Sequence, residues 1–175
     1  MANIDNIADL HDEVLELLLE YRKEYNSDLR FRLRPHDNSS NKGYLNKGKW
    51  FLNSKEIIDL NFVQTRDFLE KISYELDLKI KLNEFDIEFD FLHYEFENLY
   101  NDFSKNLVEE FGIVPYYASL TIEVEKINFK KKFKALIQII DKCLKSKEFQ
   151  THKDFSPIPK EEFEANLAYI QKKRR

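Results

Sequence analysis

Residues 78–89 have the sequence LKIKLNEFDIEF, in which apolar and charged side chains alternate on both sides of Asn83-Glu84. A two-residue turn at Asn83-Glu84 places Leu82 opposite Phe85, and each later pair also matches in character. The later pairs are Lys81 with Asp86, Ile80 with Ile87, Lys79 with Glu88 and Leu78 with Phe89. The apolar partners thus share one face and the opposite charges share the other. This stretch therefore predicts an antiparallel hairpin with one buried and one solvent-exposed face.

The second strand of this hairpin carries a row of acids, Asp86, Glu88 and Asp90. Such a row could hold a cation. Lys79 and Lys81 stand opposite it, however, so cross-strand charge pairing is the simpler interpretation.

Helical periodicity surrounds the hairpin on both sides. Apolar residues recur at three- and four-residue steps over residues 4–25 and 92–111, and again after Asn128 and after Pro159. This spacing predicts amphipathic helices. Gly112 is placed to end the second of them, and Asn128 to cap the third.

Shorter stretches predict further strands. Residues 29–34, in which three arginines alternate with apolar side chains, predict a strand that Pro35 ends. Residues 49–52 and 57–62 are predicted to pair as a second hairpin, and the alternation of residues 120–125 predicts the last strand.

The remaining stretches predict one more helix and two irregular segments. Thr65 can cap a helix whose apolar face is Phe68, Leu69, Ile72 and Leu76. Residues 36–46 are rich in Asn, Ser and Gly and predict a flexible polar loop. Residues 149–158 predict a linker to the C-terminal helix.

Composition sets the class of protein. A chain of 175 residues with 42% hydrophobic and 34% charged residues is expected to fold as one domain, residues 1–175. No stretch approaches a signal sequence or a membrane span. Cys143 cannot form an internal disulfide and falls in a helical apolar register, which predicts a small core residue in a cytoplasmic protein. The predicted fold is α+β, with an antiparallel sheet of five to six strands, including two hairpins, packed with three long amphipathic helices and shorter helices.

The segment from Arg22 to Trp50 carries most of the interpretable chemistry. It holds eight Lys and Arg against three acids, a net charge of +5 in a chain whose formal net charge is −4. Clustered cations bind phosphates, and aromatic faces stack on bases. The predicted nucleic-acid-binding residues are Arg30, Arg32, Arg34, Lys42, Tyr44, Lys47, Lys49 and Trp50, with Phe51 as a further stacking face. In the alternative interpretation, the arginines line the solvated side of an ordinary strand while Phe31 and Leu33 face the core.

Charge is also sorted along the rest of the chain. Residues 84–111 hold nine acids and one lysine, a net of −8, and residues 126–153 hold nine lysines and two acids, a net of +7. The two blocks could pair with each other or lie on separate solvated faces. Alternatively, the lysines could form a second phosphate-contacting patch of Lys130, Lys131, Lys132 and Lys134.

Catalytic and metal motifs are weak. Residues 43–49 have the glycine spacing of a phosphate-binding loop, but Trp50 stands where that motif needs a hydroxyl group. The histidines and Cys143 lack the paired spacings of zinc sites. Asp59 with residues 77–79, Asp-Leu-Lys, is the nearest approach to the acid and acid-x-lysine pattern of a metal-dependent nuclease. The sequence therefore favours a non-enzyme without cofactor or metal, with the nuclease as an alternative.

Two strings in this segment are similar to a known protein family: residues 28–34, DLRFRLR, and residues 45–52, LNKGKWFL. These strings resemble the start of N-terminal modules fused to McrB-like AAA+ GTPases of modification-dependent restriction systems, where Phe-x-x-Arg precedes Lys-Gly-Tyr-Trp-Phe-Leu-Gly. Lys49 stands in place of the tyrosine, and Asn53 in place of the last glycine. The resemblance implies a specificity module that recognises modified DNA, with an AAA+ GTPase domain and a separate nuclease subunit as partners. A base flipped into an aromatic pocket would give Trp50, Tyr44 or Phe51 a role.

Three hypotheses follow. We expect a non-catalytic module of a prokaryotic defence or restriction system that binds duplex DNA, including methylated DNA. The second hypothesis is a protein-binding adaptor or a toxin-neutralising, immunity-type protein that uses acidic residues 84–111 against a basic partner. The third is the metal-dependent nuclease.

Overall fold

The computed structural model describes residues 4–34, 57–65, 75–152 and 155–173, together with the backbone of two strands at 43–46 and 49–52. Its helices are α1 (Ile7–Glu24), α2 (Asp90–Glu95), α3 (Glu97–Phe111), α4 (Phe129–Leu144), α5 (Lys147–Thr151) and α6 (Lys160–Lys173), with a 3₁₀ turn at Lys126–Asn128. Its strands are β1 (Arg32–Leu33), β2 (Gly43–Asn46), β3 (Lys49–Leu52), β4 (Ile58–Asn61), β5 (Val63–Thr65), β6 (Leu76–Ile80), β7 (Glu84–Phe89), β8 (Ser119–Glu123) and β9 (Phe155–Pro157). None of the described helices is long and apolar enough to cross a bilayer.

Five strands form one antiparallel sheet in the order β1-β4-β6-β7-β8, which confirms the predicted α+β class. One face of this sheet is apolar and buried, as at Leu60, Leu78 and Ile87. Helices cover that face, since Phe85 of β7 packs on Phe129 of α4 with ring centroids 5.5 Å apart. The alternate positions of the same strands form an outer face, which is mostly charged and half-buried or exposed.

β6 and β7 form the hairpin at the centre of the sheet, in a register two residues from the predicted one. The observed pairs are Ile80 with Phe85, Lys79 with Asp86, Leu78 with Ile87, Asp77 with Glu88 and Leu76 with Phe89. The turn is Leu82-Asn83, closed by a 2.9 Å hydrogen bond from the Lys81 amide to the Glu84 carbonyl. Leu82 is therefore 42% exposed instead of facing the core. A shift of two residues keeps every side chain on its own face, so the alternation pattern cannot distinguish the two registers.

The start of β6 also corrects a predicted helix. Leu76 was expected on the apolar face of a helix that follows Thr65, but it is the first residue of β6 and is buried opposite Phe89. Thr65 itself is the last residue of β5. The remaining positions of that helix lie outside the described residues.

The predicted pairing of residues 49–52 with residues 57–62 is wrong. β3 pairs with β2 instead, so a strand occupies the end of the stretch that was predicted to be a loop over residues 36–46. β4 pairs with β1 and β6 in the main sheet. Only residues 47 and 48 separate β2 from β3, a length that suits a hairpin, whereas the polar composition before them suggested irregular structure. Residues 35–42 lie outside the described part of the chain.

The long helices agree with their predicted positions, with two local differences. Asn6 caps α1, because its Oδ1 accepts a 2.9 Å hydrogen bond from the Asp9 amide. The helix predicted over residues 92–111 is divided at Phe96 into α2 and α3. Gly112 ends α3 as predicted, in a left-handed conformation with φ of 70°. Asn128 precedes α4, but its side chain makes no capping hydrogen bond.

The stretch predicted as a linker, residues 149–158, is structured. It contains the end of α5 and strand β9, which pairs with β5. Phe149 and Phe155 are both buried, and this burial is what holds the segment against the core. Cys143 is buried as predicted, and burial raises the pKa of its thiol to about 12.

Helix α6 protects the free edge of β1. The Asn166 side chain donates to the Leu33 carbonyl and accepts from the Leu33 amide, both at 3.1 Å. The amide group thus takes the place of a further strand, which satisfies backbone groups that would otherwise stay unpaired at an edge. Phe163 of the same helix packs edge-on against Phe31, with ring centroids 4.9 Å apart.

A buried carboxylate joins α1, α4 and the segment that leads to β1. Asp141 accepts hydrogen bonds from the Tyr21 hydroxyl at 2.8 Å and from the Ser27 hydroxyl at 2.9 Å. Lys145 forms an ion pair with it at 2.9 Å. Burial and the Asp141 carboxylate raise the pKa of Tyr21, so its hydroxyl stays a proton donor. Asp141 therefore fixes the relative position of two helices that are distant in sequence.

We expect Asp141→Ala to lower the free energy of unfolding by about 3 kcal/mol, because two buried hydroxyl groups lose their acceptor. Tyr21→Phe should cost about 1 kcal/mol. Urea denaturation of both single variants and the double variant measures the coupling between them. Asp102→Ala, on the exposed side of α3, is the control and should stay within about 0.5 kcal/mol of the original chain. Additive losses would show that the Tyr21–Asp141 hydrogen bond does not stabilise the fold.

Candidate functional site

The outer face of the sheet brings together charged residues from three strands. In the pairing of β4 with β6, Asp59 lies opposite Lys79 and Asn61 lies opposite Asp77. On the other side of β4, Arg32 of β1 lies opposite Asn61. Because side chains alternate between faces along a strand, all of these positions share the outer face.

These side chains surround a cleft of about 620 Å³, here called the polar cleft. The described residues that line it are Arg32, Leu33, Arg34, Asp59, Asn61, Asp77, Lys79 and Asn166. These described residues include three cations, two carboxylates and two amides, so the site is suited to a polar, charged ligand.

The backbone that carries Arg34 is held in place on both sides. Its amide donates a 3.1 Å hydrogen bond to the Asp59 carbonyl. Its carbonyl oxygen lies 2.9 Å from Nε2 of His11, on α1. The Arg34 side chain itself is 77% exposed, so a hydrogen-bonded backbone presents a solvent-accessible cation to the cleft.

Each arginine of the predicted strand has an acidic neighbour. Arg34 lies 3.4 Å from Asp59, and Arg32 forms an ion pair with Glu162 of α6. Both pairs are partly exposed, and exposed pairs contribute about 0 to 1 kcal/mol. A phosphate group can therefore replace the carboxylate at small cost.

Arg30 does not join the other two arginines. Its guanidinium donates to Asp28 at 2.9 Å and to the Ile158 carbonyl at 3.3 Å. It lines a separate cleft of about 270 Å³ together with Asp141 and Lys145. The regular strand begins only at residue 32, so the alternation of residues 30, 32 and 34 does not place all three guanidinium groups at one site.

Within the cleft, Asp77 is a carboxyl group whose pKa is raised well above its ordinary value. Burial, together with the charges of Glu75 and Asp59, raises its pKa to about 6, although a hydrogen bond from Asn61 acts in the opposite direction. The pairing register also places Glu88 opposite Asp77. The folded chain therefore brings several carboxylates together around the half-buried Asp77.

Two acceptor atoms in the cleft have no hydrogen-bond partner among the described residues. These are Oδ1 of Asp59 and Oδ1 of Asn61, both inaccessible to solvent. Buried acceptors normally have a donor, so these two atoms are unsatisfied polar groups beneath the cleft, and a ligand in the cleft would meet the other atoms of Asp59 and Asn61. No group of three or more His, Cys, Asp or Glu within the described ranges is arranged to hold a metal ion.

The other predicted nucleic-acid-binding residues lie on the β2–β3 hairpin or next to it. Lys42 and Lys47 lie outside the described residues. Tyr44, Lys49 and Trp50 belong to β2 and β3, for which only the backbone is described, and the register sets Tyr44 opposite Phe51 and Leu45 opposite Trp50.

The two charged blocks pack through α3 and α4, but described lysines of the basic block also pair with other acids. Lys134 lies 3.8 and 3.4 Å from Glu20 and Glu24 of α1, and Lys126 lies 2.9 Å from Asp5. Part of the positive block thus neutralises negative charge on α1 and on Asp5 just before it. The charge pattern alone did not specify this arrangement.

Asn61 and Asn166 were not predicted as cleft residues. Asn61 could have been found from its place two residues after Asp59 on a predicted strand. Asn166 is 133 residues from Leu33, and nothing in the local sequence indicates that contact.

We expect Asp77→Asn to stabilise the protein at pH 8 and to have little effect at pH 4. The folded pKa of about 6 lies above the ordinary value of 3.8, so the stability provided by the neutral acid is complete below pH 3.8 and is lost as the pH rises through 6. Thermal unfolding at the two pH values measures the effect, with Asp102→Asn as an exposed control. An equal shift at both pH values would contradict the raised pKa.

Comparison with protein-family models, with curated proteins and with solved structures finds no match to this chain.

Proposed function

We propose that this protein binds a nucleic acid and that the sugar-phosphate backbone lies in the polar cleft. The observation that carries the proposal is the convergence of Arg32, Arg34 and Lys79 on one concave site. Arginine binds phosphate through paired N–H donors, and lysine adds a point charge. The weak, exposed ion pairs of the two arginines leave both available for exchange with phosphate.

Charge on the rest of the outer face limits how the nucleic acid can lie. Beyond Lys79 the next strand presents Asp86 and Glu88, which repel phosphate. The strand of nucleic acid is therefore expected to follow β1 and β4 rather than to cross the sheet. A volume of about 620 Å³ suits one or two nucleotides, as in single-strand binding or in capture of a flipped base, better than a whole duplex.

Modified DNA as the ligand, and a restriction system as the setting, are supported by the resemblance of residues 28–34 and 45–52 described above. In this proposal the hairpin β2–β3 supplies the aromatic contact, from Tyr44 or Trp50, next to phosphates held in the cleft. An AAA+ GTPase and a separate nuclease would then be the partner proteins.

Salt dependence tests the location of the phosphate contacts. Replacing Arg34 and Lys79 together by Ala should reduce the slope of log affinity against log salt by about 1.5 units, because two phosphate contacts are lost. Fluorescence anisotropy with a labelled single-stranded oligonucleotide, and with plain and methylated duplexes, measures the slope.

The matched control replaces Lys130 and Lys131 by Ala, since both are exposed on α4. These changes remove the same number of positive charges, but from positions outside the cleft. They should therefore leave the slope of log affinity against log salt nearly unchanged. Affinity that does not depend on salt would contradict the proposal that the protein binds nucleic acid through phosphate contacts. A slope that falls only in the control would place the nucleic acid on α4 instead of in the cleft.

A second candidate function is metal-dependent cleavage of the nucleic acid at the same site. Asp59, Asp77 and Lys79 share the outer face of two paired strands, which is the arrangement that the acid and acid-x-lysine pattern requires. Two carboxylates can hold one Mg²⁺ together with substrate oxygens, and the lysine can stabilise negative charge on the phosphate. The specific observation that favours this candidate is that Asp59 and Asp77 lie on neighbouring paired strands, close enough for the Asp59 charge to raise the pKa of Asp77.

If this candidate is correct, labelled oligonucleotides are cleaved with Mg²⁺ and stay intact with EDTA. Asp77→Ala should reduce cleavage by about a hundredfold or more while leaving binding in EDTA intact. Asp86→Asn, one strand away on the same face, is the control and should retain cleavage. An intact substrate in Mg²⁺ and in Mn²⁺ would reject the nuclease and leave the binding proposal standing.

A further inference from the structure

Residues 113–117, Ile-Val-Pro-Tyr-Tyr, form an exposed apolar loop between α3 and β8, here called the aromatic loop. Val114 and Tyr116 are each 76% exposed and Tyr117 is 65% exposed. Eight large apolar side chains are exposed in the described part of the chain, and the loop supplies four of them from five consecutive positions. Single exposed apolar residues are common, but a contiguous group of this kind marks an interaction surface.

The loop is held in one conformation by hydrogen bonds. Tyr116 and Ser119 exchange two backbone hydrogen bonds, of 2.9 and 3.0 Å. The Tyr100 hydroxyl of α3 donates to the Tyr117 carbonyl at 2.5 Å. The rings of Tyr116 and Tyr117 meet edge to face, with centroids 4.7 Å apart. A rigid aromatic surface loses little entropy when it binds, which is why tyrosine is common at binding hot spots.

Tyr117 also carries backbone strain. Its φ of 52° lies in the left-handed region, which is unfavourable for a bulky side chain. Glycine would fit this position without strain, yet the residue is a 65% exposed tyrosine whose ring adds little to the core. Strained residues of this kind are typical of binding loops, where the ring serves contact rather than folding.

The surroundings of the loop are acidic. The hydrogen bond from Tyr100 shows that the loop turns back along α3. Residues 90–111, which form α2 and α3, hold six acids and one lysine, a net of −5. Glu97 is exposed and lies three residues before Tyr100, which places it on the same side of α3 as the loop. An apolar centre with a charged rim is the usual organisation of a protein interface.

We propose that the aromatic loop and the acidic face of α3 dock a partner protein whose surface combines an apolar pocket with Lys and Arg around it. The charge of this surface disfavours three other occupants. A nucleic acid or an anionic membrane would be repelled by the acids, and a symmetric second copy would bring two faces of the same sign together. This surface adjoins β8, whereas the polar cleft lies on the β1 side of the sheet, so the inference does not depend on the proposed function.

Phage-displayed random peptides, selected on the full chain and counter-selected on the Tyr116→Ala chain, test the chemistry of the partner. We expect enriched peptides to combine Lys or Arg with aromatic or aliphatic residues. A synthetic copy of the best peptide should lose about tenfold in affinity on Tyr116→Ala and about threefold on Glu97→Lys. Isothermal titration calorimetry measures both.

Two variants separate binding from folding. Tyr117→Gly should keep the thermal stability of the chain, because glycine relieves the strain, while the affinity for the peptide falls. Ile127→Ser is the matched control, since Ile127 is 72% exposed but lies outside the loop, and it should leave the affinity unchanged. The cleft variant with Arg34 and Lys79 replaced by Ala should also bind the peptide normally.

Several results would overturn the inference. These are the absence of peptides that prefer the original chain, the enrichment of acidic peptides, and an affinity that Tyr116→Ala does not change. Binding of a labelled oligonucleotide that is lost in Tyr116→Ala would assign the loop to nucleic acid instead. A dimer in sedimentation analysis that dissociates on Tyr116→Ala would assign it to a second copy of the chain.

Discussion

β6 is hydrogen-bonded on both sides, to β4 and to β7, and this double pairing is the constraint on which the rest of the structure depends. It keeps Leu76, Leu78 and Ile80 in the core, where each buried side chain contributes about 1.5 to 3 kcal/mol. A slip of one residue would bury Asp77 and Lys79 instead, and the desolvation of two charges would exceed any gain. The polar cleft is the other side of the same strand, so the packing of the core fixes the composition of the site.

The two surfaces to which we assign binding roles are also the places where the fold tolerates unfavourable local energies. In the cleft, the Asp77 carboxyl group is partly desolvated and close to other acids, which raises its pKa. In the aromatic loop, Tyr117 holds a left-handed backbone conformation. Neither feature improves stability, whereas the Asp141 network and the Asn166 contact with β1 do. Polar groups that stabilise the fold are satisfied, whereas these two surfaces keep a desolvated carboxyl group and a strained backbone, as is expected when a site is shaped by a ligand.

The candidate site was predictable in parts but not as a whole. The alternation of residues 29–34 identified Arg32 and Arg34 as solvent-facing, and the acid-x-lysine pattern identified Asp77 and Lys79. The arginine pair supported the DNA-binding hypothesis, and the Asp77–Lys79 pair supported the nuclease hypothesis. Nothing in the local sequence indicates that β4 lies between the two strands that carry these pairs and so brings them into one site. The same alternation included Arg30, which belongs to another cleft because the regular strand starts after it.

By itself, the sequence determined which residues form long helices and which faces of the strands are buried, because periodicity of 3.6 or 2 is a local property of the chain. It also determined the left-handed end of α3 at Gly112. Only the tertiary structure decided the strand order, the two-residue shift in the β6–β7 register and the partner of β3. The strand order and the register shift leave the inward-facing residues of the main sheet unchanged, so local pattern does not distinguish the alternatives. Contacts between distant segments, such as β4 with β6, select one of them.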